Sequence, residues 1–252
     1  MPLRPIPTDV SPSRDELGRR AAAHVVKLLQ GILATQPRAR VVFACAPSQN
    51  EFLAALITQS QSVIDWSHID GFHMDEYIGL GPKHPASFRT YLRQLFLDHV
   101  QLGSFAEIQG EAADAGHEAA RYATLLATAP IDLICLGIGE NGHLAFNDPP
   151  VADFDDPALV KGVALDEACR RQQVNDGCFP TLADVPLHAF TLTISIFRQA
   201  KRLSVHVPGP RKADAVRATV QGPITTACPA SILRLHPDAT LYIDSAAASL
   251  LA

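Results

Sequence analysis

Short apolar runs that alternate with helical segments constrain this chain more than any other feature of its sequence. The runs RVVFACA (residues 40–46) and IDLICLG (residues 131–137) lack the polar–apolar alternation of a half-buried strand. Such runs are typical of strands covered on both faces, as in a parallel sheet between two layers of helices. The sequence therefore predicts a three-layer α/β fold, with a mostly parallel, Rossmann-like sheet and helices on both of its faces.

Helical periodicity separates the apolar runs. Ser13 and Glu16 have the spacing of a capping box, and the apolar positions after them predict a helix that ends near Ala34. Residues 87–100 also have helical periodicity. The inward face of that helix is predicted to carry Phe88, Leu92, Leu95 and Phe96. Other helices are predicted from Glu51 and over residues 111–129 and 211–220, and other strands over residues 189–196, 202–208 and 240–244. Residues 69–77 are predicted to form a strand and its outgoing loop.

The chain is predicted to form one domain over residues 1–252. The sequence contains no internal repeat and no low-complexity linker that would mark a domain boundary. Residues 151–181 are polar, contain the run DFDDP and lack clear periodicity. Long segments without regular structure inside a compact domain are often functional, and we expect this one to form a lid over the active site.

Charge and cysteine content exclude several classes of function. The formal net charge is −5, which disfavours broad binding to nucleic acids or acidic membranes. No apolar run approaches 18 residues, and the N-terminal residues have no apolar signal segment. The five cysteines are scattered and form no CxxC pair, as expected for reduced thiols in the cytoplasm. The sequence allows a homo-oligomer but does not predict one.

Three polar segments directly follow predicted strands. They are APSQN (residues 46–50), HMDEY (residues 73–77) and GIGENGH (residues 137–143). In open α/β sheets, ligands bind outside the carboxyl ends of the strands. We therefore expect the three segments to meet at one edge of the sheet and to form a ligand site there.

The segment GIGENGHLAFNDPP (residues 137–150) contains residue types suited to proton transfer. Its glycines allow positive φ angles and a close approach of the backbone to a ligand. His143 can exchange a proton near neutral pH, Asp148 can orient its imidazole, and Asn141 can form hydrogen bonds but cannot take up a proton. A glycine turn with a surface histidine has the same residue types, and the short pattern alone does not separate the two interpretations.

Asp75 and Glu76 are adjacent carboxylates at the end of a predicted strand, so their side chains face different directions. One of them can line a pocket while the other faces neighbouring structure. A carboxylate beside a sugar can move a proton between adjacent carbons, as aldose–ketose isomerisation requires. A solvated acidic turn would give the same residues. His73 and Asp75 could instead bind a metal, although no second cluster has matching ligand spacing.

Lys212 lies in the run VPGPRKADAV (residues 207–216), where a predicted strand ends and a helix begins. A lysine is unfavourable at a helix N-terminus because of the helix dipole. An anion bound at that position would be attracted by both the lysine and the dipole. The run therefore predicts an anion site, although a solvated lysine would have the same sequence.

Together these segments resemble the glucosamine-6-phosphate deaminase family, within the wider group that contains the 6-phosphogluconolactonases. The resemblance extends over about residues 13–244, and FHMDEYIGL (residues 72–80) and GIGENGHLAFNDP (residues 137–149) carry most of it. The runs VPGPRKADAV and ILRLHPDATLYID match as well. The lactonases tend toward Ser-Leu-Phe after the glycine–histidine step, whereas this chain has AFNDP, which is similar to the deaminases.

The resemblance implies a phosphorylated amino sugar as the substrate and no metal or organic cofactor. The family opens the ring of glucosamine 6-phosphate, isomerises it through an enediol-type intermediate and releases ammonia to leave fructose 6-phosphate. By motif match, Asp75 is the base between C1 and C2, and His143 assists ring opening with Asp148 and Asn141 beside it. The residues predicted to bind substrate are Ser48, Gln49, Asn50, Gly139, Arg171 and Lys212, with Lys212 on the phosphate.

Several positions depart from the family's pattern. Many deaminases have aspartate in place of Asn141 and glutamate in place of Asp148, whose shorter side chain is expected to need a shifted backbone or a water. The loop APSQN has no glycine, whereas the family's phosphate loop is usually Thr-Gly-rich. An arginine that helps to bind phosphate is expected in the lid. Arg170 and Arg171 are the nearest candidates, but a gapless match puts Gln173 there.

These departures leave three alternatives open. The first is a deaminase for galactosamine 6-phosphate, since some deaminases resembling that branch also carry a Gly-x-Asn-Gly-His run. The second is a 6-phosphogluconolactonase. The third is a non-catalytic sensor of sugar phosphates, although no DNA-binding segment is evident in the sequence.

Overall fold

The computed structural model describes residues 5–251, which form a large parallel sheet, a small antiparallel sheet and the helices around them. The strands are β1 (Thr8–Ser11), β2 (Ala39–Phe43), β3 (Ile69–His73), β4 (Asp75–Tyr77), β5 (Ser104–Ala106), β6 (Leu133–Leu136), β7 (Val160–Ala164), β8 (His188–Leu192), β9 (Leu203–Val207) and β10 (Ala239–Asp244). The α-helices are α1 (Arg14–Leu33), α2 (Asn50–Ser60), α3 (Phe88–Leu92), α4 (Ala115–Ala127), α5 (Glu167–Asn175), α6 (Ile194–Gln199) and α7 (Ala213–Gln221).

The large sheet has seven strands in the order β1-β10-β9-β6-β2-β3-β5, and every pair of neighbours is parallel. All residues of β2, β6 and β9 are buried. Val41 and Phe43 pack in one apolar cluster with residues of α1 and α2, whereas Val42 packs in another with residues of α4 and α7. The predicted mostly parallel sheet with helices on both faces is therefore confirmed.

The beginning of α1 follows the prediction from its cap. The Ser13 hydroxyl accepts a hydrogen bond from the Glu16 amide at 3.2 Å, and the helix then runs to Leu33. The Glu16 carboxylate does not complete a capping box, because it pairs with Arg19 and Arg20 instead. The capped start of the helix is confirmed, and its acidic residue contributes through ion pairs along the helix surface.

The order of strands in the large sheet reverses between β2 and β6, which are neighbours. From β2 the chain continues outward to β3 and β5, and from β6 it continues outward the other way to β9 and β10. The segments that follow β2 and β6 therefore leave the sheet side by side and separate into a crevice. This switch point is where ligands bind in open α/β sheets.

Two predicted segments form different elements than expected. Residues 69–77, predicted as a strand and its outgoing loop, form two strands separated at Met74: β3 belongs to the large sheet, whereas β4 pairs with β8 in the small sheet. The strand predicted over residues 189–196 ends with β8, and α6 begins at Ile194. The small sheet has the order β4-β8-β7 and is antiparallel throughout.

The segment predicted to be a lid contains regular structure that its sequence did not indicate. It includes β7, the outer strand of the small sheet, and α5. The Asp166 carboxylate caps α5 by accepting a hydrogen bond from the Cys169 amide at 2.7 Å. The segment is therefore tied to the small sheet at one end.

Leu95 corrects the predicted inward face of residues 87–100. Phe88, Leu92 and Phe96 are buried as predicted, but Leu95 is 38% exposed. The reason is that α3 continues as a π-helical turn over Arg93–Leu97, which changes the angular spacing of its side chains. No helix within residues 5–251 is both long and apolar enough to cross a membrane.

Candidate active site

A cavity of about 360 Å³ opens at the carboxyl ends of β2, β6 and β9. It lies at the switch point between β2 and β6 and receives residues from all three predicted polar segments. The segment after β9 and the C-terminal part of α5 complete its wall. The predicted meeting of the three segments at one edge of the sheet is confirmed.

Asp75 lines this cavity from the first position of β4. Its side chain is buried, and its Oδ1 atom has no hydrogen-bond partner among residues 5–251. Burial, with a smaller contribution from the neighbouring Glu76, raises the pKa of the Asp75 carboxyl well above its usual value. A carboxyl with a raised pKa and a free oxygen in a cavity is suited to accept and return a proton near neutral pH.

Glu76 faces away from the cavity. Its carboxylate accepts hydrogen bonds from the Ser87 hydroxyl at 2.7 Å, the Arg89 guanidinium at 3.1 Å and the amides of Phe88 and Arg89 at 3.2 Å. It therefore holds the first turn of α3, where a carboxylate also interacts favourably with the helix dipole. The predicted division, with one carboxylate in the pocket and the other in the surrounding structure, is confirmed.

His143 lines the cavity with its imidazole held from one side. Its Nδ1 atom lies 2.9 Å from an oxygen of Asp148 and 2.8 Å from the side-chain oxygen of Asn141. Because both neighbours are acceptors, Nδ1 carries the hydrogen and Nε2 is left free. Asn141 also donates from its Nδ2 atom to Asp148 at 2.8 Å, which fixes the direction of its amide. Asp148 contacts the ring directly, so the bridging water considered from the sequence is not required.

Asp148 is kept ionised by its neighbours. Burial acts to raise the pKa of its carboxyl, but the nearby His143 and hydrogen bonds from His143, Asn141 and Cys169 lower it by more, so the net pKa lies below the usual value. An ionised Asp148 stabilises the protonated form of the imidazole. The three residues together can therefore take up and release a proton at the free Nε2 atom of His143.

The glycines around His143 have distinct roles. A Cβ atom at Gly139 would lie 2.2 Å from the His143 ring, so only glycine leaves room for the imidazole. Gly142 has a φ of +84°, which favours glycine. Ala145, which lines the cavity, has a φ of +52°, an uncommon value for a residue with a side chain. This strained backbone lies two residues after His143, and such strain is common at functional sites.

Lys212 also lines the cavity. It lies after β9, in the short 3-10 turn that leads into α7. Lys212 is 8% exposed, and no hydrogen bond or ion pair of its ammonium group occurs among the described residues, whereas the neighbouring Arg211 pairs with Glu140 and Asp176. Burial lowers the pKa of Lys212, while Asp176 and Glu140 act in the opposite direction. A buried cation without a partner is costly, and an anionic ligand in the cavity would remove that cost.

The loop after β2 corrects two of the predicted substrate-binding residues. Ser48 lines the cavity, but Gln49 and Asn50 do not. Gln49 is buried behind Ser48, where its side chain bonds to His206. Asn50 turns toward α3 and accepts a hydrogen bond from the Tyr91 hydroxyl at 2.7 Å. The helical start of α2 directs these side chains away from the ligand.

Arg171 is also a correction, because it lies on the outer face of α5 and pairs with Glu167 one helical turn earlier. Arg170 donates to the backbone carbonyl of Val185 and does not line the cavity. Gln173 lines it instead. Its Oε1 atom accepts a hydrogen bond from the Tyr77 hydroxyl at 2.8 Å, so its amide nitrogen is the atom available to a ligand.

Two arginines that the sequence did not indicate line the cavity. Arg14, at the start of α1, is held by Glu51 at 2.9 Å, and Arg211 is held by Asp176 at 2.7 Å. The position of Arg211 next to Lys212 is a signal that could have been used. Arg14 lies far from the other site residues in sequence, and nothing in its local pattern marks it.

The metal site considered at His73 and Asp75 is not supported. The Nε2 atom of His73 accepts a hydrogen bond from the Ile108 amide at 2.8 Å, and burial lowers the pKa of His73 to about 3. Among residues 5–251, His143, Asp148 and Cys169 bring potential ligand atoms within 4.8 Å of one another. The contacts of Asp148 with the His143 ring and with the Cys169 side chain already account for that arrangement.

Comparison with known proteins agrees with this geometry. Residues 12–162 match the family model for glucosamine-6-phosphate isomerases/6-phosphogluconolactonase. A glucosamine-6-phosphate deaminase from an Exiguobacterium species is 40% identical over 189 residues, which cover 75% of this chain and 72% of that protein. The solved structure of a monomeric glucosamine-6-phosphate deaminase has a TM-score of 0.88 at 31% identity, covering 97% of this chain and 100% of that one.

A 6-phosphogluconolactonase from Trypanosoma brucei shares the fold, with a TM-score of 0.82 at 17% identity over 99% of this chain and 100% of that one. The matched region contains Asp75, His143 and Asp148. The chain therefore belongs to the family of glucosamine-6-phosphate isomerases and 6-phosphogluconolactonases.

Proposed function

We propose that this chain is a glucosamine-6-phosphate deaminase, an enzyme that converts glucosamine 6-phosphate and water to fructose 6-phosphate and ammonia. The observation that carries the proposal is that Asp75, whose buried Oδ1 atom has no partner among the described residues, lines the same cavity as His143. The names of the relatives, at up to 40% identity, support the same reaction.

Ring opening is the step assigned to His143. Its free Nε2 atom takes the proton of the hydroxyl at C1 and delivers it to the ring oxygen, while the bond between C1 and the ring oxygen breaks. Asp148, 2.9 Å from Nδ1, stabilises the imidazolium that forms between the two transfers. The product is the open-chain aldehyde.

Isomerisation is the step assigned to Asp75. Its carboxylate removes the proton from C2, the electron pair of that C–H bond forms a double bond between C1 and C2, and the oxygen at C1 takes a proton from solvent water. Asp75 then returns its proton to C1, the electron pair of the nitrogen forms a double bond to C2, and the nitrogen gives one proton back to solvent to leave an imine. Water adds to C2 and ammonia leaves, so one water is consumed for each ammonia released. The raised pKa of Asp75 suits a group that must both take and return a proton.

The phosphate is assigned to the cationic part of the cavity. Lys212, Arg14 and Arg211 line it together with the Ser48 hydroxyl. Arg14 and Arg211 already have carboxylate partners, so Lys212 is the cation with unused hydrogen-bonding capacity. We therefore assign the principal phosphate contact to Lys212 and secondary contacts to Ser48 and the amide of Gln173.

The direct contact between Asp148 and His143 favours a deaminase over a lactonase. Asp148 belongs to the AFNDP run, which distinguishes this chain from the Ser-Leu-Phe pattern of the lactonases, and it bonds to the ring that opens the sugar. A galactosamine 6-phosphate substrate uses the same proton transfers and differs at C4 alone. An assay with both sugars therefore determines which C4 epimer the enzyme prefers.

The test is an assay that measures ammonia and fructose 6-phosphate with glucosamine 6-phosphate and galactosamine 6-phosphate as substrates. We expect equal amounts of the two products from glucosamine 6-phosphate and none from the Asp75→Asn variant. Hydrolysis of 6-phosphogluconolactone without ammonia release from either hexosamine phosphate would overturn the proposal in favour of a lactonase. Tight binding of these sugars without turnover would overturn it in favour of a sensor.

The same proposal includes a cytoplasmic location, no metal or organic cofactor, and a lid formed by residues 151–181. All five cysteines are free thiols, as suits a reducing compartment. Gln172 and Gln173 extend from α5 over the cavity. Amide hydrogen exchange in α5 that slows when glucosamine 6-phosphate binds would support the lid. Sedimentation of the pure protein would show whether it forms a homo-oligomer.

A further inference from the structure

A buried chain of hydrogen bonds runs from the core of β9 to the cavity. The Ser204 hydroxyl lies 2.8 Å from Nε2 of His206, and Nδ1 of His206 lies 2.9 Å from Oε1 of Gln49. Nε2 of Gln49 lies 3.1 Å from the hydroxyl of Ser48. Ser204, His206 and Gln49 are all buried, whereas Ser48 lines the cavity. This series of hydrogen bonds therefore connects the interior of the large sheet to the ligand site.

The direction of every hydrogen bond in this chain is fixed. The nitrogen of the Gln49 amide also donates to the backbone carbonyl of His206 at 3.3 Å, so its oxygen must face the imidazole. That oxygen can only accept, so Nδ1 of His206 carries the hydrogen. Burial lowers the pKa of His206 to about 3, so the ring is neutral and its Nε2 is an acceptor. Ser204 is then the donor to Nε2.

This polarity determines what Ser48 offers to a ligand. Its oxygen accepts a hydrogen bond from Gln49, so its own hydrogen is available to donate into the cavity. Gly137 keeps space for this arrangement, because a Cβ atom there would lie 3.1 Å from the Gln49 nitrogen and 3.3 Å from the Ser48 oxygen. The glycine that follows β6 and the glutamine that follows β2 therefore fit together at the switch point.

We propose that Gln49, His206 and Ser204 are positioning residues that hold the Ser48 hydroxyl as a hydrogen-bond donor toward an anionic oxygen of the ligand. The inference rests on the proposed function in that the ligand carries a phosphate. A hydroxyl that is already oriented needs no reorganisation when the ligand arrives, so its hydrogen bond contributes more to binding. None of the three positioning residues lines the cavity.

The test is a double-mutant cycle on the binding of inorganic phosphate, measured by calorimetry. We expect Ser48→Ala to weaken binding by about tenfold, as for a hydrogen bond to a charged group. Gln49→Met keeps the size of the side chain and removes all three of its hydrogen bonds, to Ser48 and to the ring and the carbonyl of His206, and we expect it to weaken binding about fivefold. In the Ser48→Ala background the same change should cost less than about twofold, because the group that Gln49 positions is gone.

The control is Gln59→Met on the same helix α2, whose side chain donates to the backbone of Arg19 far from the cavity. It should leave phosphate binding unchanged. Additive effects of Ser48→Ala and Gln49→Met would overturn the inference, because a purely structural glutamine weakens binding equally in both backgrounds. Failure of the wild-type protein to bind phosphate would overturn it as well.

Ser204→Ala provides a second variant that spares Gln49, should Gln49→Met fold poorly. It leaves Nε2 of His206 without its donor and so loosens the hold on the imidazole, and we expect phosphate binding to weaken at least about twofold when Ser48 is present and not when Ser48 is alanine. With substrate, Gln49→Met should raise KM and leave kcat within about twofold. Phosphate binding requires no turnover, so the two proposals can fail separately. If the effects of Ser48→Ala and Gln49→Met on phosphate binding are coupled but the enzyme releases no ammonia, the proposed function alone is overturned. If the enzyme releases ammonia but the two effects are additive, this inference alone is overturned.

Discussion

Asp75 and Glu76 are adjacent in β4, yet their carboxylates lie in opposite environments. Asp75 lines the cavity and its buried Oδ1 atom has no partner among the described residues, whereas Glu76 accepts hydrogen bonds from the hydroxyl, amides and guanidinium at the start of α3. Strand geometry causes the difference, since successive side chains point to opposite faces. Substitution at the two positions should therefore separate activity from stability.

Asp75→Asn should stabilise the protein while it removes the activity. The pKa of Asp75 is raised in the folded state, so its ionisation costs folding free energy. That cost is absent below the ordinary aspartate pKa of about 3.9 and develops as the pH rises through the folded pKa. Denaturant unfolding at several pH values should show an advantage for the variant that grows with pH. An advantage that shrinks with rising pH would contradict the assignment.

Glu76→Gln should have the opposite effect. Burial raises the pKa of Glu76, but the substitution also leaves the buried guanidinium of Arg89 without a charged partner in the interior, and that change typically costs about 3–5 kcal/mol. We expect a lower free energy of unfolding, measured by denaturant titration, while the remaining folded enzyme keeps a KM close to that of the wild type. Loss of turnover in folded protein, with stability unchanged, would show that Glu76 acts in the reaction instead.

Asp148→Asn should lower kcat by about 10²–10⁴-fold, because the imidazolium of His143 loses its negative partner. Asn141→Asp in the same protein moves the charge to the other acceptor of Nδ1. We expect this double variant to regain at least about tenfold of the lost rate. Steady-state kinetics of the wild type, the single variants and the double variant form the comparison. A double variant no faster than Asp148→Asn would mean that the position of the charge, and not its presence, controls ring opening.

Gly139→Ala should reduce kcat strongly, because the added methyl group would overlap the His143 ring and displace it. The matched control is Gly31→Ala in α1, where an added Cβ would have no neighbour within 4 Å. Alanine there should stabilise the helix by about 0.5–1 kcal/mol without changing the kinetics. Equal kinetics in the two variants would exclude a crowded imidazole.

Lys212→Met should raise KM by about 100-fold and stabilise the protein without ligand. Burial lowers the pKa of Lys212, so its charged form costs folding free energy at neutral pH. The cost disappears as the pH rises through the lowered pKa toward the ordinary value of about 10.4. Melting temperatures measured from neutral to alkaline pH should therefore converge. A wild-type protein that is more stable than the variant at neutral pH would indicate a partner for Lys212 in the free enzyme.

The interior strands could be predicted from sequence because burial on both faces leaves a continuous apolar signal, as in β2 and β6. The short edge strands β1 and β5 were missed because they have four and three residues and are partly exposed. The break at Met74 has no local signal, since the apolar pattern continues through it. The change of sheet is decided by pairing between Asp75 and Thr191, more than 100 residues apart.

The candidate site was predictable where one loop supplies several of its residues. His143, Asn141 and Asp148 lie within eight positions and meet through hydrogen bonds of 2.8–2.9 Å. Arg171 was wrong because the angular position of a residue on a short helix depends on how that helix packs. The burial of the Gln49 side chain behind Ser48 could not be predicted, because its hydrogen-bond partner His206 belongs to a strand 157 residues later.

The break at Met74 means that the two proton-transfer groups come from different sheets. Asp75 is carried by the small sheet, which leads through β7 into α5, whereas His143 follows β6 of the large sheet. A small rotation of one sheet against the other would change the spacing of the two groups and the cover over the substrate in a single movement. Sequence changes confined to the small sheet could thus retune this enzyme's specificity while its central layer stays intact.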